Sequence, residues 1–425
     1  MRKVKPNGCK KIELLAPAGD LEKMEVALEF GADAVYFGLP DFSLRARINK
    51  FDKRAIRKGA ELCRQMKKKF YVTINIYAHN HHIKKLPVHL KFIKEIDPDA
   101  IILSDPGILR IIKKYLPEMP IHLSTQANAT NIEAVRFWQE QGVKRIILAR
   151  ELSLEEISQI HKAVPEIELE CFVHGAMCMA YSGRCLLSKW MAGRSANLGD
   201  CAQPCRWKYK KSHDPKKINC NLNLVDDQED FEIELEEDSG GTYFFNSFDI
   251  CLIEYLGELI KAGICSFKIE GRSKSVYYSA VSTKAYARVL ENTLNHEIEK
   301  KKQKLVKEEK KELEKLSHRG FWTGFILGDE PPHLYERPYK RVNLEFVGIS
   351  RDKINSKIRK VFVHNKIEQG DQVEIILPNL LMKNRIIKIK DPSGELIEVA
   401  HGGQGKVFEL EFSRNIEGLF LMRKC

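Results

Sequence analysis

Eight short apolar runs alternate with longer amphipathic stretches over the first two thirds of the chain. These runs are IELLA (12–16), AVYFG (34–38), FYVTINI (70–76), AIILS (100–104), IHLST (121–125), RIILA (145–149), ELECFVH (168–174) and SFKIE (266–270). Segments such as DLEKMEVALEF (20–30) and NIEAVRFWQEQG (131–142) between them carry apolar residues at helical spacing. Because nearly continuous apolar runs are typical of parallel strands covered on both faces, the pattern predicts an α/β fold.

The number of predicted strands favours one α/β architecture over another. Asp20, Asn131 and Ser153 each precede a helical pattern with an acidic residue soon after, as helix caps do. A doubly wound open sheet shows the same alternation of strands and helices and stays open as an alternative. Eight strands favour a (β/α)₈ TIM-like barrel.

One connection is much longer than the others. About ninety residues separate ELECFVH from SFKIE, whereas a βα loop usually has roughly 2–6 residues. We therefore predict a cysteine-bearing insertion over residues 176–247, closed by a helix in FDICLIEYLGELIKAG (248–263). In a barrel this insertion would cover the C-terminal mouth, where βα loops build active sites.

The pattern changes after the predicted barrel, which spans residues 1–295. Residues 296–337 begin with HEIEKKKQKLVKEEKKELEKL, which predicts a charged, solvated linker helix with internal ion pairs. Residues 338–425 contain VNLEFVGI, IRKVFVH, DQVEIIL, RIIKIK and GKVFELEF, separated by the turn signals EQGDQ and DPSGE. This alternation predicts a small C-terminal β-barrel domain.

Composition and charge narrow the class of protein. Apolar residues make up 43% and charged residues 30% of the 425 residues, as in soluble globular proteins. The sequence has neither an apolar run long enough to span a bilayer nor an apolar signal core, so we expect a cytoplasmic protein without a membrane partner. The net charge is +12 although residues 226–238 carry nine acidic and no basic residues. A surface this basic attracts polyanions, although charge alone supports RNA only weakly.

Four of the eleven cysteines are clustered within the insertion. They follow the spacing C-x6-C-x15-C-x3-C and are Cys178, Cys185, Cys201 and Cys205. In a reducing compartment, clustered cysteines more often ligate metal or react than form disulfides. Only the second pair fits the spacing of structural zinc sites, while iron–sulfur clusters accept wider spacings. Spacing alone favours a cluster slightly and leaves zinc or four unrelated thiols open.

Three long blocks carry a resemblance to a known family. They are ELLAPAGDLEKMEVALEFGADAVYFG, then FVHGAMCMAYSGRCLLS followed by GDCAQPCRW, and SFKIEGRSKSVYY. Through these blocks and the C-terminal domain, nearly the whole chain resembles the collagenase-like peptidase family U32. Better-understood branches of that family hydroxylate aromatic rings of RNA bases or ubiquinone precursors and carry a four-cysteine [4Fe-4S] cluster.

The resemblance implies a specific activity and a specific set of ligands. The branch that this chain most resembles installs a 5-hydroxyl on the wobble uridine of tRNA, depends on prephenate and needs no dioxygen. Carried over by position, the cluster ligands would be Cys178, Cys185, Cys201 and Cys205. A related branch takes its fourth cysteine later in the insertion, which makes Cys220 the alternative to Cys205. The partners implied are tRNA and prephenate, and a related paralogous chain is left open.

Polar side chains follow the predicted strands at or just beyond their carboxyl ends. They are Tyr36, Asn75, Asp105, Gln126, Arg150, His174, Lys268, Glu270 and Arg272. For each residue alone, a helix cap or a satisfied core hydrogen bond is an equally good interpretation, but in a barrel all would converge on one mouth. Substrate-binding roles are predicted for Asn75 and Gln126, with binding of prephenate carboxylates or phosphate predicted for Arg45, Arg47, Arg150 and Arg272. We predict proton transfer by His174, Lys268 and Glu270.

Other functions remain open at this point. The family name suggests a collagenase-type peptidase, but the sequence contains neither H-E-x-x-H nor G-x-S-x-G. A Cys–His dyad of Cys178 and His174 is a weak candidate, because the cysteine is better explained as a ligand. Hydroxylation of an rRNA cytidine and a zinc-stabilised RNA-binding factor are the remaining alternatives.

Overall fold

The N-terminal part of the chain folds into a closed parallel barrel. The computed structural model describes residues 11–44, 51–178, 180–207, 224–225, 232–233, 237–238, 241–242, 247–295, 299–328, 344–403 and 405–424. The barrel strands are β1 (Glu13–Pro17), β2 (Ala34–Gly38), β3 (Lys69–Ile74), β4 (Ala100–Leu103), β5 (Ile121–Leu123), β6 (Arg145–Ile147), β7 (Glu168–Ala176) and β8 (Ile264–Ile269). Each strand pairs in parallel with the next, and β8 returns to pair with β1. The predicted (β/α)₈ barrel is confirmed.

Helices connect the strands and surround the barrel. The described helices are α1 (Leu21–Glu29), α2 (Lys53–Gln65), α3 (Asn80–Ile96), α4 (Pro106–Tyr115), α5 (Ile132–Glu140), α6 (Leu154–Ala163), α7 (Leu187–Ala192), α8 (Leu256–Ala262), α9 (Val276–Leu294) and α10 (Glu299–Glu314). The predicted caps Asp20, Asn131 and Ser153 each accept a hydrogen bond from a backbone N–H in the first helical turn. Asp105 caps α4 in the same way, so its position at a strand end is explained by capping.

The barrel has two buried regions with different chemistry. Between strands and helices lies a large apolar core that includes Leu14, Val35 and Val72. Inside the barrel, Tyr36 and Tyr71 belong to a smaller apolar cluster of Leu15, Ala34, Tyr36, Tyr71, Ala100, Ile102 and Ile147. Charged residues also lie inside the barrel. Those near the carboxyl ends of the strands belong to the candidate site.

The insertion returns to the barrel differently from the prediction. Residues 248–263 do not form one helix: Asp249–Cys251 is a short strand, and only Leu256–Ala262 forms α8. The short strand pairs antiparallel with the last residues of β7, which extends to Ala176, two residues beyond its predicted end. Since β7 offers unpaired backbone groups beyond the barrel, the returning chain satisfies them as a strand. Most of the acidic window at 226–238 lies outside the described residues.

Helix α10 is not a solvated linker. Val306, Leu313 and Leu316 are buried along it or just beyond its end, and the helix packs against α9. Two of its ion pairs reach other elements: Glu309 pairs with Arg288 in α9, and Lys310 pairs with Glu254. The buried apolar positions fix the helix to the barrel despite its charged composition.

The C-terminal domain is an antiparallel β-barrel, as predicted. Its main strands are β9 (Glu345–Ser350), β10 (Ile358–Val363), β11 (Gln372–Ile376), β12 (Leu381–Lys390), β13 (Val407–Phe412) and β14 (Phe420–Lys424). Strand β11 pairs with both β12 and β14, which closes the sheet. Strand β14 was not predicted. Its Arg423 is fully buried and joins the domain to the barrel through Glu312 at 2.8 Å and the Tyr277 hydroxyl at 2.9 Å.

No helix among the described residues combines the length and the apolar composition that crossing a bilayer requires.

Candidate functional site

A cavity of about 420 Å³ opens at the carboxyl ends of the barrel strands. Its floor is formed by the ends of several strands, and its rim is formed by the insertion after β7. The lining includes Tyr36, Thr73, Asn75, Ser124, Gln126, Arg150, Phe172, Cys178, Ser182, Arg184, Cys185, Leu186, Cys201, Cys205, Lys268, Glu270 and Arg272. This is the face on which barrel enzymes build their active sites, and the volume suits a small ligand.

Hydrogen bonds from three barrel loops hold the insertion over the cavity. The backbone N–H of Ser182 donates to Glu151 Oε1 at 2.5 Å, and the guanidinium of Arg184 donates to the backbone carbonyl of Gln126. The carbonyl of Asn197 accepts a bond from the backbone N–H of Tyr77 at 3.1 Å. These contacts fix the cysteine-bearing loop relative to the strand ends.

The four clustered cysteines all line this cavity. Cys178 is exposed, while Cys185, Cys201 and Cys205 are half-buried and free of disulfide bonds. The backbone N–H of Gln203 donates to Cys201 Sγ at 3.4 Å, and Gln203 itself has a left-handed φ of 57°. A residue with positive φ held between two cysteines is typical of a backbone shaped for function.

The other described free cysteines are different in character. Cys63, Cys171 and Cys251 are buried, and burial raises the pKa of Cys63 to about 12 and that of Cys251 to about 11. Thiols with raised pKa values are poor nucleophiles and poor ligands, because both roles need the thiolate. Burial raises the pKa of Cys171 as well, and this thiol belongs to the packing of β7.

The thiols of the four clustered cysteines are the candidate ligands for a metal centre. Across the part of the chain that the structure describes, no three or more histidine, cysteine, aspartate or glutamate side chains are grouped to hold a metal ion. A single zinc ion needs its sulfur ligands about 2.3 Å away, hence close to one another. A cluster presents several iron corners to loops that arrive from different directions. Four thiols from two stretches of the insertion line one cavity, and thiolates are ligands that both kinds of centre accept.

Lys268 and Glu170 form a buried ion pair at the floor of the cavity. Lys268 Nζ donates to Glu170 Oε1 at 2.9 Å and lies 4.3 Å from the centre of the Tyr36 ring. Burial lowers the pKa of Lys268, although the carboxylate of Glu170 opposes this shift. The result is a lysine whose proton is easier to remove than that of a surface lysine.

A chain of charges continues from this pair toward the opposite end of the barrel. Arg145 Nη1 lies 3.2 Å from Glu170 Oε2 and 2.5 Å from Glu13 Oε1. The hydroxyl of Tyr71 donates to Glu13 Oε2 at 2.7 Å. Burial is the largest single influence and would raise the pKa of Glu13, but the charge and hydrogen bond of Arg145, together with Lys69 and Tyr71, outweigh it and lower the pKa. The network keeps Glu170 and Lys268 in fixed positions beneath the cavity.

Two arginines supply positive charge to the cavity wall. Arg150 stacks over the Phe172 ring at 4.1 Å and donates through Nη1 to the Ala176 carbonyl at 3.2 Å, while its Nε has no hydrogen-bond partner among the described residues. Arg272 donates to the carbonyl of Leu44 and faces the Tyr36 ring. Arginine donors beside aromatic rings suit a planar anionic ligand.

Neutral polar groups on the wall are incompletely paired. Gln126 Oε1 and Thr73 Oγ1 are buried and have no hydrogen-bond partner within the described ranges. Asn75 uses its Oδ1 to accept from the Leu44 N–H at 3.1 Å. Because a buried polar atom left unpaired costs about 1–3 kcal/mol, the free atoms of Gln126 and Thr73 indicate that a polar ligand completes this site.

His174 does not line the cavity, although the sequence placed it there. The pairing of β7 with β8 shifts register between Phe172 and His174, so that two residues of β7 oppose one step of β8. Such a bulge turns the following side chain to the other face of the strand. His174 is consequently buried against Tyr278, Tyr286 and Phe321, and burial lowers its pKa to about 3.

The predicted residues divide into three groups. The structure brings together around one cavity Asn75, Gln126, Arg150, Lys268, Glu270, Arg272 and the four cysteines. His174 lies apart from them, and Arg45, Arg47 and Cys220 lie outside the described residues. Sequence reasoning missed Glu170, whose signal was a carboxylate within an otherwise apolar buried strand.

Comparison with known proteins places this arrangement in a family. The model of peptidase family U32 matches residues 19–335, and the model of its C-terminal domain matches residues 343–423. The chain is 38% identical to tRNA hydroxylation protein P of Escherichia coli, covering 92% of each chain. It is 35% identical to tRNA hydroxylation protein P1 of Bacillus subtilis, covering 98% of this chain and 95% of that protein.

A further relative is named for a different target. The 23S rRNA 5-hydroxycytidine C2501 synthase of Escherichia coli is 34% identical over 66% of this chain and 39% of its own length. The family models together span both the barrel, with its cysteine-bearing insertion, and the C-terminal domain. On these matches, the chain belongs to peptidase family U32.

Proposed function

We propose that this protein is an RNA-modifying enzyme that hydroxylates C5 of the wobble uridine in the anticodon loop of tRNA. The observation that carries the proposal is the meeting of four thiols and seven polar strand-end side chains around one cavity. The relatives named for tRNA hydroxylation, which align with nearly the whole chain, supply the reaction class. The overall change replaces the C5–H bond of the base by C5–OH without dioxygen, which is a two-electron oxidation of the base, and prephenate is the proposed co-substrate that gives up a hydroxyl oxygen and takes up the displaced hydrogen.

The cysteines would hold a [4Fe-4S] cluster at the rim of the cavity. Cys178, Cys185, Cys201 and Cys205 are the proposed ligands, and the Gln203 N–H that donates to Cys201 Sγ is the kind of hydrogen bond that tunes a cluster potential. When bound, the cluster supplies redox chemistry beside the substrate. Cys220 remains the alternative fourth ligand.

The cationic wall would bind prephenate as the co-substrate. Prephenate carries two carboxylates, and the guanidinium groups of Arg150 and Arg272 offer donors for carboxylate recognition. The Phe172 and Tyr36 rings beside these arginines provide apolar surface for the carbon ring of the ligand. Prephenate has about the size that a cavity of 420 Å³ accepts beside a base.

The neutral wall would recognise the base. A base in the anticodon loop is unpaired and can swing out into an enzyme pocket. Gln126 and Thr73 have free polar atoms that can bond to the edge of a pyrimidine. Lys268 and Glu270 line the same cavity and are the proposed groups for moving the proton that leaves the base. Glu170 acts on Lys268 and is a positioning residue.

A cytidine in rRNA is the second candidate target. The relative named as an rRNA 5-hydroxycytidine synthase modifies the same carbon of a different pyrimidine. By contrast, the peptidase alternative would need a nucleophile beside a base, whereas His174 is packed away from the cavity that Cys178 lines. We also propose that the protein acts in the cytoplasm, where tRNA is available, and the need for a paralogous partner chain stays a prediction.

The direct test is a reaction with purified components. Anaerobically purified protein is incubated with prephenate and with tRNA from cells that lack the modification, and the nucleosides are analysed by mass spectrometry. We expect 5-hydroxyuridine to form only when protein, tRNA and prephenate are all present. Formation of 5-hydroxycytidine in rRNA instead would support the second target, and peptide cleavage without any RNA product would contradict both.

A further inference from the structure

The most exposed apolar side chains of the described residues lie together on the rim of the cavity. Trp190 is 83% exposed and Leu186 is 76% exposed, and no other described large apolar side chain exceeds 66%. Leu186 is the N-cap residue of α7 and Trp190 lies in its first turn. The Trp190 N–H donates to the Leu186 carbonyl at 2.9 Å. Residues four apart on a helix share one face. Leu186 lines the cavity, and Trp190 lies one helical turn further along α7.

Two further exposed aromatic residues are close in sequence to residues that line the cavity. Tyr181 is exposed next to Ser182, which lines the cavity. Trp207 is exposed two residues after Cys205 and is oriented by its Nε1–H, which donates to the Ala202 carbonyl at 3.0 Å. Exposed tryptophans cost solvation energy unless a partner covers them, so several together mark an interaction surface.

The charge of this rim identifies the partner. Between Ala180 and Trp207 there are four basic residues and one acidic residue, and that acid, Asp200, is paired with Arg194 at 2.9 Å. Lys189 is exposed on α7 beside Trp190. Aromatic faces interleaved with positive charge are what proteins use to stack unpaired bases while contacting the phosphates. A protein partner would not require this excess of positive charge.

We propose that Tyr181, Leu186, Trp190 and Trp207 form a base-stacking rim that binds the unpaired nucleotides next to the target base. Trp190 is the principal platform, and Lys189 contacts the adjacent phosphate. The inference rests on the proposed function, since it assigns the surface by which that cavity receives RNA. The rim binds single-stranded nucleotides on both sides of the opening. It does not bind a continuous duplex by stacking, because the bases of a duplex are already stacked on one another.

The test measures RNA affinity of the full-length protein by fluorescence anisotropy. The probes are an anticodon stem-loop and a duplex of equal length. Because base–aromatic stacking contributes about 1–3 kcal/mol per base, we expect W190A to weaken stem-loop binding between about fivefold and a hundredfold, while W190F keeps most of the affinity. Duplex binding should be equal in wild type and W190A. The matched control is F137A, which removes an exposed aromatic side chain from α5 on the outer ring of helices.

The outcomes separate this inference from the proposed function. Stem-loop binding by W190A within twofold of wild type overturns the stacking rim, whether or not the protein still forms 5-hydroxyuridine. A changed oligomeric state of W190A in light scattering, with unchanged RNA affinity, also overturns it, because a second copy would then cover the rim. If wild-type protein forms no hydroxylated nucleoside yet binds the stem-loop through Trp190, the proposed function fails and the rim survives.

Discussion

Lys268 Nζ lies 2.9 Å from Glu170 Oε1 inside a barrel that shields both side chains from solvent. The pair connects the cavity, which Lys268 lines, to a network of charges that reaches Glu13 through Arg145. Because a charge in a barrel interior is stable only with partners, the position and the protonation of Lys268 depend on Glu170.

Replacing Glu170 with glutamine should alter the pH dependence of the reaction. The change removes the carboxylate that opposes the effect of burial, so the pKa of Lys268 falls further. We expect kcat to fall about a hundredfold, because a displaced catalytic group loses about that much, and the limb of the pH–rate profile that reports Lys268 to move to lower pH. The measurement is hydroxylated nucleoside formed per minute across pH.

The matched control for Glu170 lies on the same strand. Glu168 pairs with Arg145 at 2.8 Å near the far end of the network, and Lys268 pairs with Glu170 instead. E168Q should therefore keep the wild-type pH profile. An E170Q variant with an unshifted profile, or the same shift in E168Q, would refute the positioning role.

Changes to the clustered cysteines should remove the proposed [4Fe-4S] cluster. Serine in place of Cys178, Cys185 or Cys201 should abolish the brown colour of anaerobically purified protein, its iron and its acid-labile sulfide, along with activity. Cys63, which is buried in α2 with a raised pKa, supplies the control: C63A should retain full iron. About one zinc per chain, without iron or sulfide, would support a zinc site instead.

His174 should matter for stability and not for chemistry. Since burial lowers its pKa from 6.5 to about 3, the folded protein keeps it neutral while the unfolded chain takes up a proton as pH falls below 6.5. Stability is therefore lost progressively between pH 6.5 and about 3. We expect H174F to retain kcat within about threefold and to lose less stability over this range, whereas K268M loses about 10²- to 10⁴-fold in rate. Loss of kcat in well-folded H174F would restore a catalytic role.

The buried network should contribute stability that disappears in acid. The folded pKa of Glu13 is lower than its ordinary value of 4.5, so its contribution is present above 4.5 and is lost as pH falls through the folded value. Urea unfolding at several pH values should show a shallower acid dependence for E13Q than for wild type. Identical dependence in the two proteins would mean that folding does not lower the pKa of Glu13.

The barrel could be predicted because its strands are apolar and its helices are capped. The site was only partly predictable. Strand-end positions identified Lys268 and Arg150, since parallel strands end at one mouth. The sequence could not predict which side chains of β7 point into the barrel. The bulge before His174 depends on pairing with β8, which lies some ninety residues later in the chain. Glu170 was overlooked as part of an apolar run, although a buried carboxylate requires a partner.

Two other differences have physical causes of the same kind. The α10 segment was interpreted by its lysines and glutamates, whereas Val306 and Leu313 determine that it packs on α9. Strand β14 has buried residues at consecutive positions from Phe420 to Arg423, so it lacks the alternation by which the other C-terminal strands were found. In the C-terminal sheet, the alternation that predicts a strand is present only where one face of the strand is exposed to solvent.

We propose above all that the protein hydroxylates uridine in tRNA at the cavity that the four clustered cysteines line. Mass spectrometry of total tRNA nucleosides tests it in a strain that lacks the chain, complemented with the wild-type protein or with C178S. We predict that 5-hydroxyuridine derivatives fall in the deletion strain, return with the wild-type protein and stay low with C178S. An unchanged content of these derivatives in the deletion strain would contradict the account.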